Sequence, residues 1–364
     1  MHIIRNYLLK EFTGPFFLSL LVSTMILATG HIVQVADLII NKGVSAVYII
    51  NLFLLLTPWL LTFTIPISVL SATLLAFGRL ASDNEIIALR ASGVSLYRIA
   101  LPIVLTSLVI SLFCIPLNDK ILPQAGYSAR KLIKEIGIRN PLALLEPGIF
   151  IKGFEDYIIF VYSINGNKLK DIRIYQPQEG KPTRTIVAEE GEVEAVPEKN
   201  MVKLKLKSGS ADEALPQDPT NFYKLVFDTY TMTLNFKEAM KYETIEKKPR
   251  EMGMAELRAE AEKLRIKNID TVPLYIEIHN KMALAFSNFV FVLIGIPIAL
   301  SMHRREKSIN FGLTLILFLI YWGIMLGGVA CSIRGIVPPW VGIWMANAVL
   351  FLIGIALFSR LARR

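Results

Sequence analysis

A short charged segment carries the side chains best suited to binding chemistry. In ASDNEIIALRASGVS, residues 81–95, the acids Asp83 and Glu85 lie a few positions from the base Arg90. Carboxylate and guanidinium groups form charge-assisted hydrogen bonds with partner molecules, which are stronger than bonds between neutral groups. The segment is therefore the first candidate for a contact with another protein.

The same segment predicts a short surface helix. Ser82 followed three residues later by Glu85 has the spacing of a capping box, and Gly93 is a typical stop, so we expect a helix near residues 82–92. About ten residues span only about 15 Å, which is too short to cross a membrane. Two interpretations stay open: Glu85 only caps a surface turn, or the helix fits a groove of a separate ATPase and transmits its closure.

Motifs for independent catalysis do not occur in the sequence. It has no G-x-x-x-x-G-K-[ST] phosphate loop, its four histidines lack metal-ligand spacing, and no Ser-His-Asp set accompanies a nucleophile elbow. We expect no catalytic residue, metal site or cofactor in this chain, and ATP and Mg²⁺ would be used by a partner ATPase. Ion-coupled transport is disfavoured, because the apolar windows hold essentially no ionisable side chain at mid-membrane depth apart from His31, toward the outer end of the first window.

The composition is that of a membrane protein. Hydrophobic residues make up 53% of the 364 residues, and the mean hydropathy is +0.49. Six windows without Asp, Glu, Lys or Arg reach the roughly 20 residues that a helix needs to cross the hydrocarbon. They are Phe12–Ala36, Gly43–Gly78, Ile99–Asn118, Met282–His303, Ser308–Ile333 and Gly335–Ser359. Strands of a membrane barrel would alternate in shorter segments, so we predict six transmembrane helices.

The short loops predict the orientation. Eleven basic residues precede the first window, lie between windows two and three and between four and five, or follow the sixth, whereas the opposite loops hold only Lys42 and Arg334. Because Lys and Arg favour the cytoplasmic side, we expect both termini in the cytoplasm and the long insert on the outward side of the membrane. The formal charge of +9 is then mostly a topology signal, and no nucleic-acid partner is expected.

The insert between the third and fourth windows predicts a β domain. Segments such as DYIIFVYSI, KDIRIYQ and MVKLKLKSG are rich in β-forming residues, and turn signals separate them. In VKLKLK, apolar residues alternate with lysines, as in a strand with one dry face. We therefore predict membrane helices over residues 1–122 and 273–364. Residues 123–272 should form an all-β sandwich or jelly-roll-like domain with flanking helices.

Particular motifs resemble the lipopolysaccharide-export permeases LptF and LptG. They are TPWLLTFTIPISVLSATLLAFGRLASDNEIIALRASGVS with its E-x-x-x-L-R-A-S-G stretch, IGIPIAL followed by RREKS, and GIVPPWVGIWMAN. The split of three helices and three helices around an outward β domain matches as well, so the resemblance covers essentially the whole chain. Ala346 precedes Asn347 where the family pattern leads us to expect proline.

The resemblance implies a half-transporter of the inner membrane. In that family one LptF and one LptG pair with two copies of the ATPase LptB, extract lipopolysaccharide and pass it to a periplasmic bridge of LptC and LptA. A glutamate of the coupling helix contacts the ATPase, and Glu85 is the matching position, flanked by Asp83 and Arg90. The β domain of the family is a jelly roll.

Substrate contacts follow from the chemistry of an anionic glycolipid, which needs cations near the outer boundary and apolar walls. Lys42, Arg130 and Arg334 are placed for the first role, although each could equally reach a lipid headgroup. Gln34 lies near the position where the family presents a polar side chain to the cavity. Phe160 and Leu204 are expected on an apolar face that shelters acyl chains, or in a closed core without a ligand.

Two other functions remain open at this stage. One is a permease of similar plan for another lipid or a lipoprotein. The other is a membrane scaffold whose β domain only binds periplasmic partners. The sequence does not distinguish the LptF-like from the LptG-like half.

Overall fold

The computed structural model describes residues 2–40, 44–139, 147–154, 157–165, 168–178, 181–196, 201–215, 218–235, 246–301 and 307–363. The helices are α1 (His2–Ile40), α2 (Ala46–Ser82), α3 (Glu85–Ala91), α4 (Leu96–Pro116), α5 (Leu122–Arg139), α6 (Met254–Ile266), α7 (Val272–Ser301), α8 (Lys307–Ile333) and α9 (Pro339–Arg363). A π-helical turn, Leu117–Ile121, joins α4 to α5 without a break.

Six helical segments in the described ranges are long and apolar enough to cross a membrane. They are formed by α1, α2, α4 with α5, α7, α8 and α9. A six-stranded antiparallel sheet is inserted between the third and the fourth of them. The predicted fold class, a helical membrane protein with an inserted β domain, is confirmed.

Packing divides the chain into two units. The helical unit comprises Met1–Gly30, Leu55–Tyr127 and Lys247–Arg364. The β unit comprises His31–Leu54 and Ser128–Glu246. It therefore holds the sheet together with the end of α1, the start of α2 and most of α5.

The centre of the helical unit is formed by α2 and α7. In both helices 78% of the apolar window is buried, against 22–33% in the other four segments. Buried hydroxyls join α1 to α2, because the Oγ of Ser19 donates to the Oγ of Ser71 at 3.0 Å. The amide of Asn347 on α9 donates to the carbonyl of Ala283 on α7 at 2.9 Å. Such interhelical hydrogen bonds matter in a membrane, where apolar burial gives helices no net attraction.

The strands of the β unit follow one another in space as they do in sequence. They are β1 (Phe150–Phe154), β2 (Tyr157–Asn165), β3 (Lys168–Gln178), β4 (Lys181–Val196), β5 (Met201–Leu215) and β6 (Asp218–Asn235). Every neighbouring pair is antiparallel, and the order is β1-β2-β3-β4-β5-β6. The connectivity among the described strands is therefore a meander and lacks the Greek-key crossings of a jelly roll.

A crease across this meander creates two layers. Buried and exposed positions alternate along the strands from β2 to β6. In each of these strands the alternation is interrupted where two consecutive residues both lie outside the core. These pairs are Tyr162–Ser163, Lys170–Asp171, Glu189–Glu190, Lys207–Ser208 and Asp228–Thr229, and the strand register aligns them in one line. Asp171 and Ser208 on this line have positive φ values of 50° and 52°. Left-handed residues bend strands and shift which side chains face inward.

The two layers share one apolar core. Ile159 and Ile174 lie on one side of the crease and Leu204 and Leu206 on the other, and all four belong to the same buried cluster. A Cβ added to Gly191 would clash with the Cδ1 of Ile172, so the two sides touch directly at this position. The sandwich-like core thus arises from one bent sheet.

Candidate functional site

The surface helix α3 has seven residues, and backbone geometry fixes both ends. Asn84 precedes it in a left-handed conformation with φ 59°, which Asn tolerates better than most residues. At the other end Gly93 has φ 86°, and its amide donates to the carbonyl of Arg90. The amide of Val94 donates to the carbonyl of Leu89, which completes a Schellman motif. The prediction that the helix stops at Gly93 is confirmed.

The predicted capping box is wrong. Ser82 is the last residue of α2, and its hydroxyl donates to the carbonyl of Gly78 at 2.8 Å. The residue at the N-cap is Asn84, which makes no side-chain capping bond. A capping box needs an extended backbone at the cap, whereas the left-handed turn at Asn84 leads from one helix directly into the next. Glu85 is therefore available to another partner.

That partner is Tyr7 of α1. Its hydroxyl lies 3.0 Å and 2.8 Å from the two carboxylate oxygens of Glu85. Beside this pair, Ile86 is only 6% exposed and joins Leu8 and Phe12 of α1 in the main core cluster. One polar bond and one buried side chain thus attach α3 to the helical unit.

Ion pairs surround this attachment. Arg79 in the last turn of α2 pairs with Glu11 of α1 at 2.5 Å and with Asp83 at 3.6 Å. These side chains are partly exposed, so each pair contributes only about 0 to 1 kcal/mol to stability. The charge of Asp83 is therefore balanced in part by Arg79.

The outward face of α3 is mostly apolar. Ile87 is 58% exposed, and Ala88 and Ala91 are exposed on the same side of the helix. Arg90 is half-buried at the edge of this face. The role of Asp83, Glu85 and Arg90 in contact with an ATPase stays a prediction, and the structure adds Ile87 as the most exposed large apolar side chain of the helix.

The four polar residues predicted to contact the substrate lie in different parts of the chain. Gln34 belongs to α1, with its side chain outside the described part, and Lys42 lies outside the described residues altogether. Arg130 on α5 donates to the backbone carbonyl of Glu246 at 2.5 Å, within the β unit. Arg334 is exposed just after α8, in the helical unit. Their contact with lipid stays a prediction.

Phe160 and Leu204 lie on opposite faces of the sheet, so the expectation of one shared apolar face is wrong for Phe160. Leu204 is buried in the core. Phe160 is half-buried and packs against Phe150 of β1, with 5.0 Å between ring centroids and the two rings tilted by 42°. Its neighbours Ile159 and Val161 fill the core instead.

Sequence reasoning missed a buried polar network centred on Lys281. This lysine of α7 is 3% exposed, and its ammonium donates to the carbonyl of Met252 at 2.5 Å. The amide of Asn118 in the π-helical turn donates to the Lys281 carbonyl and accepts from the Thr62 hydroxyl of α2. Next to it, Asp119 accepts from the Met254 amide. The network ties α2, the π-helical turn, α7 and the start of α6 together.

A weak sequence signal for this network existed. Lys281 directly precedes the fourth apolar window, which begins at Met282, so its charge lies just outside the apolar sequence. The helix begins at Val272, well before that window, which carries Lys281 into its interior. π-helical turns such as Leu117–Ile121 are often found at functional sites, but they have no reliable sequence pattern.

Comparison with known proteins identifies the family of the chain. The family model for the lipopolysaccharide export system permease LptF/LptG matches residues 6–360. The chain belongs to this family. The LptF protein of Escherichia coli K12 is 20% identical over 98% of the chain and 94% of its own length. An uncharacterized protein of Rickettsia prowazekii is 22% identical over 85% of the chain and 84% of its own length.

Proposed function

We propose that the chain is a permease subunit of an ATP-driven exporter that extracts lipopolysaccharide from the inner membrane and passes it to a periplasmic bridge. Membership of the LptF/LptG family supports the permease role. The observation that carries the ATP-driven part is the attachment of α3 to the helical unit by Tyr7 and Ile86. When another protein displaces a short helix that is fixed in this way, the displacement can be transmitted to the membrane helices.

The proposed coupling follows the contacts of α3. When the ATPase dimer closes, the outward face with Ile87 would fill a groove of that partner, as the apolar face of an amphipathic helix does in helix-in-groove recognition. Motion of α3 would then reach α1 through Glu85 and Tyr7. It would reach α4 through the short turn after Gly93, since α4 begins at Leu96. ATP and Mg²⁺ belong to the ATPase in this scheme.

The proposed orientation assigns different partners to the surface helix α3 and to the β unit. The eleven basic residues of the short loops support cytoplasmic termini, and α3 then faces an LptB-like ATPase. The β unit would lie in the periplasm, next to the other permease and to LptC-like and LptA-like bridge proteins. In this arrangement Gln34, Lys42, Arg130 and Arg334 stay candidates for contact with lipopolysaccharide. Leu204 stays a candidate for contact with its acyl chains, whereas Phe160 does not, because it lies off the core face.

Thiol labelling tests the orientation. In a variant whose Cys114 and Cys331 are replaced by serine, Ser163→Cys on β2 and Ser92→Cys after α3 each add one exposed thiol. An impermeant maleimide added to cells with a permeabilised outer membrane should label only Ser163→Cys. Labelling of Ser92→Cys alone would reverse the proposed topology.

Depletion of the chain in living cells tests the transport role. We expect lipopolysaccharide to accumulate at the inner membrane and to return to the outer membrane when the chain is expressed again. Accumulation of lipoproteins with normal lipopolysaccharide would contradict the proposed substrate. Co-purification of the tagged chain should recover an ATPase and a second permease, and the identity of that permease tells which half of the pair this chain is.

A further inference from the structure

The π-helical turn lies at the opposite end of α4 from α3. The 21 residues of α4 rise about 32 Å, which is close to the thickness of the hydrocarbon, so the turn lies at the other membrane surface. In the turn, the amide of Leu122 donates to the carbonyl of Leu117, five residues earlier. Pro116, directly before it, has no amide hydrogen to donate. Helices bend most readily at prolines and at π-helical turns, so α4 can bend at this end.

Asp119 bonds the turn to the chain that follows the β unit. This return segment, Lys247–Met254, directly follows Glu246, the last residue of the β unit. The carboxylate of Asp119 accepts a hydrogen bond from the amide of Met254 at 2.5 Å, and such charge-assisted bonds are stronger than neutral ones. A Cβ added to Gly253 would lie 3.2 Å from the carbonyl oxygen of Asp119. A strong bond and a close backbone contact therefore join the turn to the return segment.

The contact of the turn with α2 is easier to exchange. The hydroxyl of Thr62 lies 3.2 Å from the Oδ1 of Asn118 and 3.1 Å from the carbonyl oxygen of Pro58 in its own helix. A hydroxyl has one proton, which it can donate to either acceptor. If the turn moves away from α2, the Thr62 hydroxyl keeps Pro58 as its acceptor. Loss of the Asp119 bond, in contrast, leaves the Met254 amide without this partner.

We propose that Asp119 is a positioning residue of the exporter, which makes the return segment follow α4 when the ATPase displaces α3. This inference rests on the proposed function, in which α4 receives the displacement through the short turn after Gly93. Because the π-helical turn is bonded more strongly to the return segment than to α2, it carries the segment with it. The segment leads directly into α6, which begins at Met254, so the displacement reaches α6.

Lys281 on α7 holds the return segment at a second point. Its ammonium donates to the carbonyl of Met252 at 2.5 Å. The ammonium lies at the end of a flexible four-carbon stem, so this bond can persist while the segment shifts. Asp119 has a short side chain, so a shift of its backbone is passed on directly. Asp119 thus moves the segment, whereas Lys281 keeps it attached to α7.

Hydrogen exchange of the purified full-length chain, with the ATPase and the second permease that co-purify, tests the proposal. Exchange is compared without nucleotide and with ATP and vanadate, which hold the ATPase dimer closed. We expect closure to change exchange in α4 and in residues 252–258 of the wild type. In Asp119→Ala, α4 should still respond and residues 252–258 should not. Without nucleotide, the Met254 amide of this variant should exchange about 10-fold faster, because it has lost one charge-assisted hydrogen bond.

Three further variants separate the relay from a general loss of stability. Asp119→Asn keeps an acceptor for the Met254 amide and should restore the response. Thr62→Val removes the exchangeable donor, and Lys120→Ala removes an exposed charge beside Asp119, and both should respond like the wild type. A response of residues 252–258 in Asp119→Ala equal to that of the wild type would overturn the proposal. So would loss of the response in Thr62→Val, because the network would then act as a whole.

The amount of lipopolysaccharide released per ATP hydrolysed connects the relay with transport. It is measured in proteoliposomes with a soluble bridge protein as acceptor. We expect Asp119→Ala to hydrolyse ATP normally but to lower this ratio on the order of 10-fold, and Asp119→Asn to retain it. A normal ratio in Asp119→Ala would overturn the role of Asp119. If the wild-type complex hydrolyses ATP without releasing lipopolysaccharide, the proposed function fails, and the exchange data still decide on the relay.

Discussion

The hydroxyl of Tyr7 lies within hydrogen-bond distance of both carboxylate oxygens of Glu85, at 3.0 Å and 2.8 Å. Its single proton is shared between them, so the first helix of the chain is bonded to the surface helix α3. The carboxylate expected to meet an ATPase therefore has a partner inside its own chain. A loss of function on mutating Glu85 can thus arise from a misplaced α3 as well as from a lost contact with the ATPase.

A double-mutant cycle separates these causes. Tyr7→Phe removes only the hydroxyl, and Glu85→Ala removes its acceptor. Because both lose the same hydrogen bond, the two single variants should weaken ATPase association by similar amounts. The double variant should weaken it no further than either single variant. The shared bond should contribute about 1 kcal/mol, because it involves a charged group at a partly exposed site. Association is measured by titrating the tagged ATPase. Fully additive effects would mean that the two residues act independently.

Glu85→Gln completes this test, because glutamine keeps an acceptor for the Tyr7 hydroxyl while removing the charge. We expect it to retain most of the ATPase association. If Glu85→Gln is as defective as Glu85→Ala while Tyr7→Phe is normal, the charge itself meets the ATPase and the bond to Tyr7 is incidental.

Neighbouring isoleucines on α3 should behave in opposite ways. Ile86→Ala deletes a buried side chain and should lower the free energy of unfolding by about 2 to 5 kcal/mol. Ile87→Ala changes an exposed position and should leave thermal stability nearly unchanged while it weakens ATPase association. Thermal unfolding in detergent and ATPase titration are measured for both. Normal ATPase association in Ile87→Ala would remove the apolar face of α3 from the proposed interface.

The sequence predicted the membrane helices well because their signal is long. A window of about 20 apolar residues has few alternatives to a membrane helix. The ends of those helices carry a weaker signal, since polar residues such as Lys281 can extend a helix and become buried by packing. The composition around Lys281 does not show that its ammonium will find an acceptor, because that acceptor is the carbonyl of Met252, which is distant in the sequence.

The phase of a strand was harder to predict than its existence. DYIIFVYSI is apolar at nearly every position, so alternation cannot tell whether Ile159 or Phe160 faces the core. In VKLKLK the lysines mark the wet face, and Leu204 and Leu206 are buried as predicted. The capping box failed for a different reason: its residue spacing matches, but the left-handed Asn84 changes the backbone path on which the motif depends.

Lys281 should be important for stability although it lies at the edge of the predicted windows. Lys281→Met keeps most of the apolar stem and removes the donor to the Met252 carbonyl, which leaves that carbonyl without this partner. We expect a loss of about 1.5 to 3 kcal/mol, the range for hydrogen bonds to charged groups. Lys267→Met, at an exposed position after α6, is the control for a lost charge. Equal thermal unfolding of the two variants would show that the network adds no net stability.

Two glycines beside the crease should respond differently to the same substitution. A Cβ at Gly209 would clash with the backbone carbonyl oxygen of Val187, which cannot move without its strand. At Gly191 the clash is with the Cδ1 of Ile172, the mobile end of a side chain that can change its rotamer. Gly209→Ala should therefore cost about 1 to 3 kcal/mol, as overpacking does, and Gly191→Ala clearly less. Hydrogen exchange of the β4 and β5 amides in the full-length chain measures this local opening free energy. Equal protection in both variants would contradict the tight backbone approach that the crease imposes at Gly209.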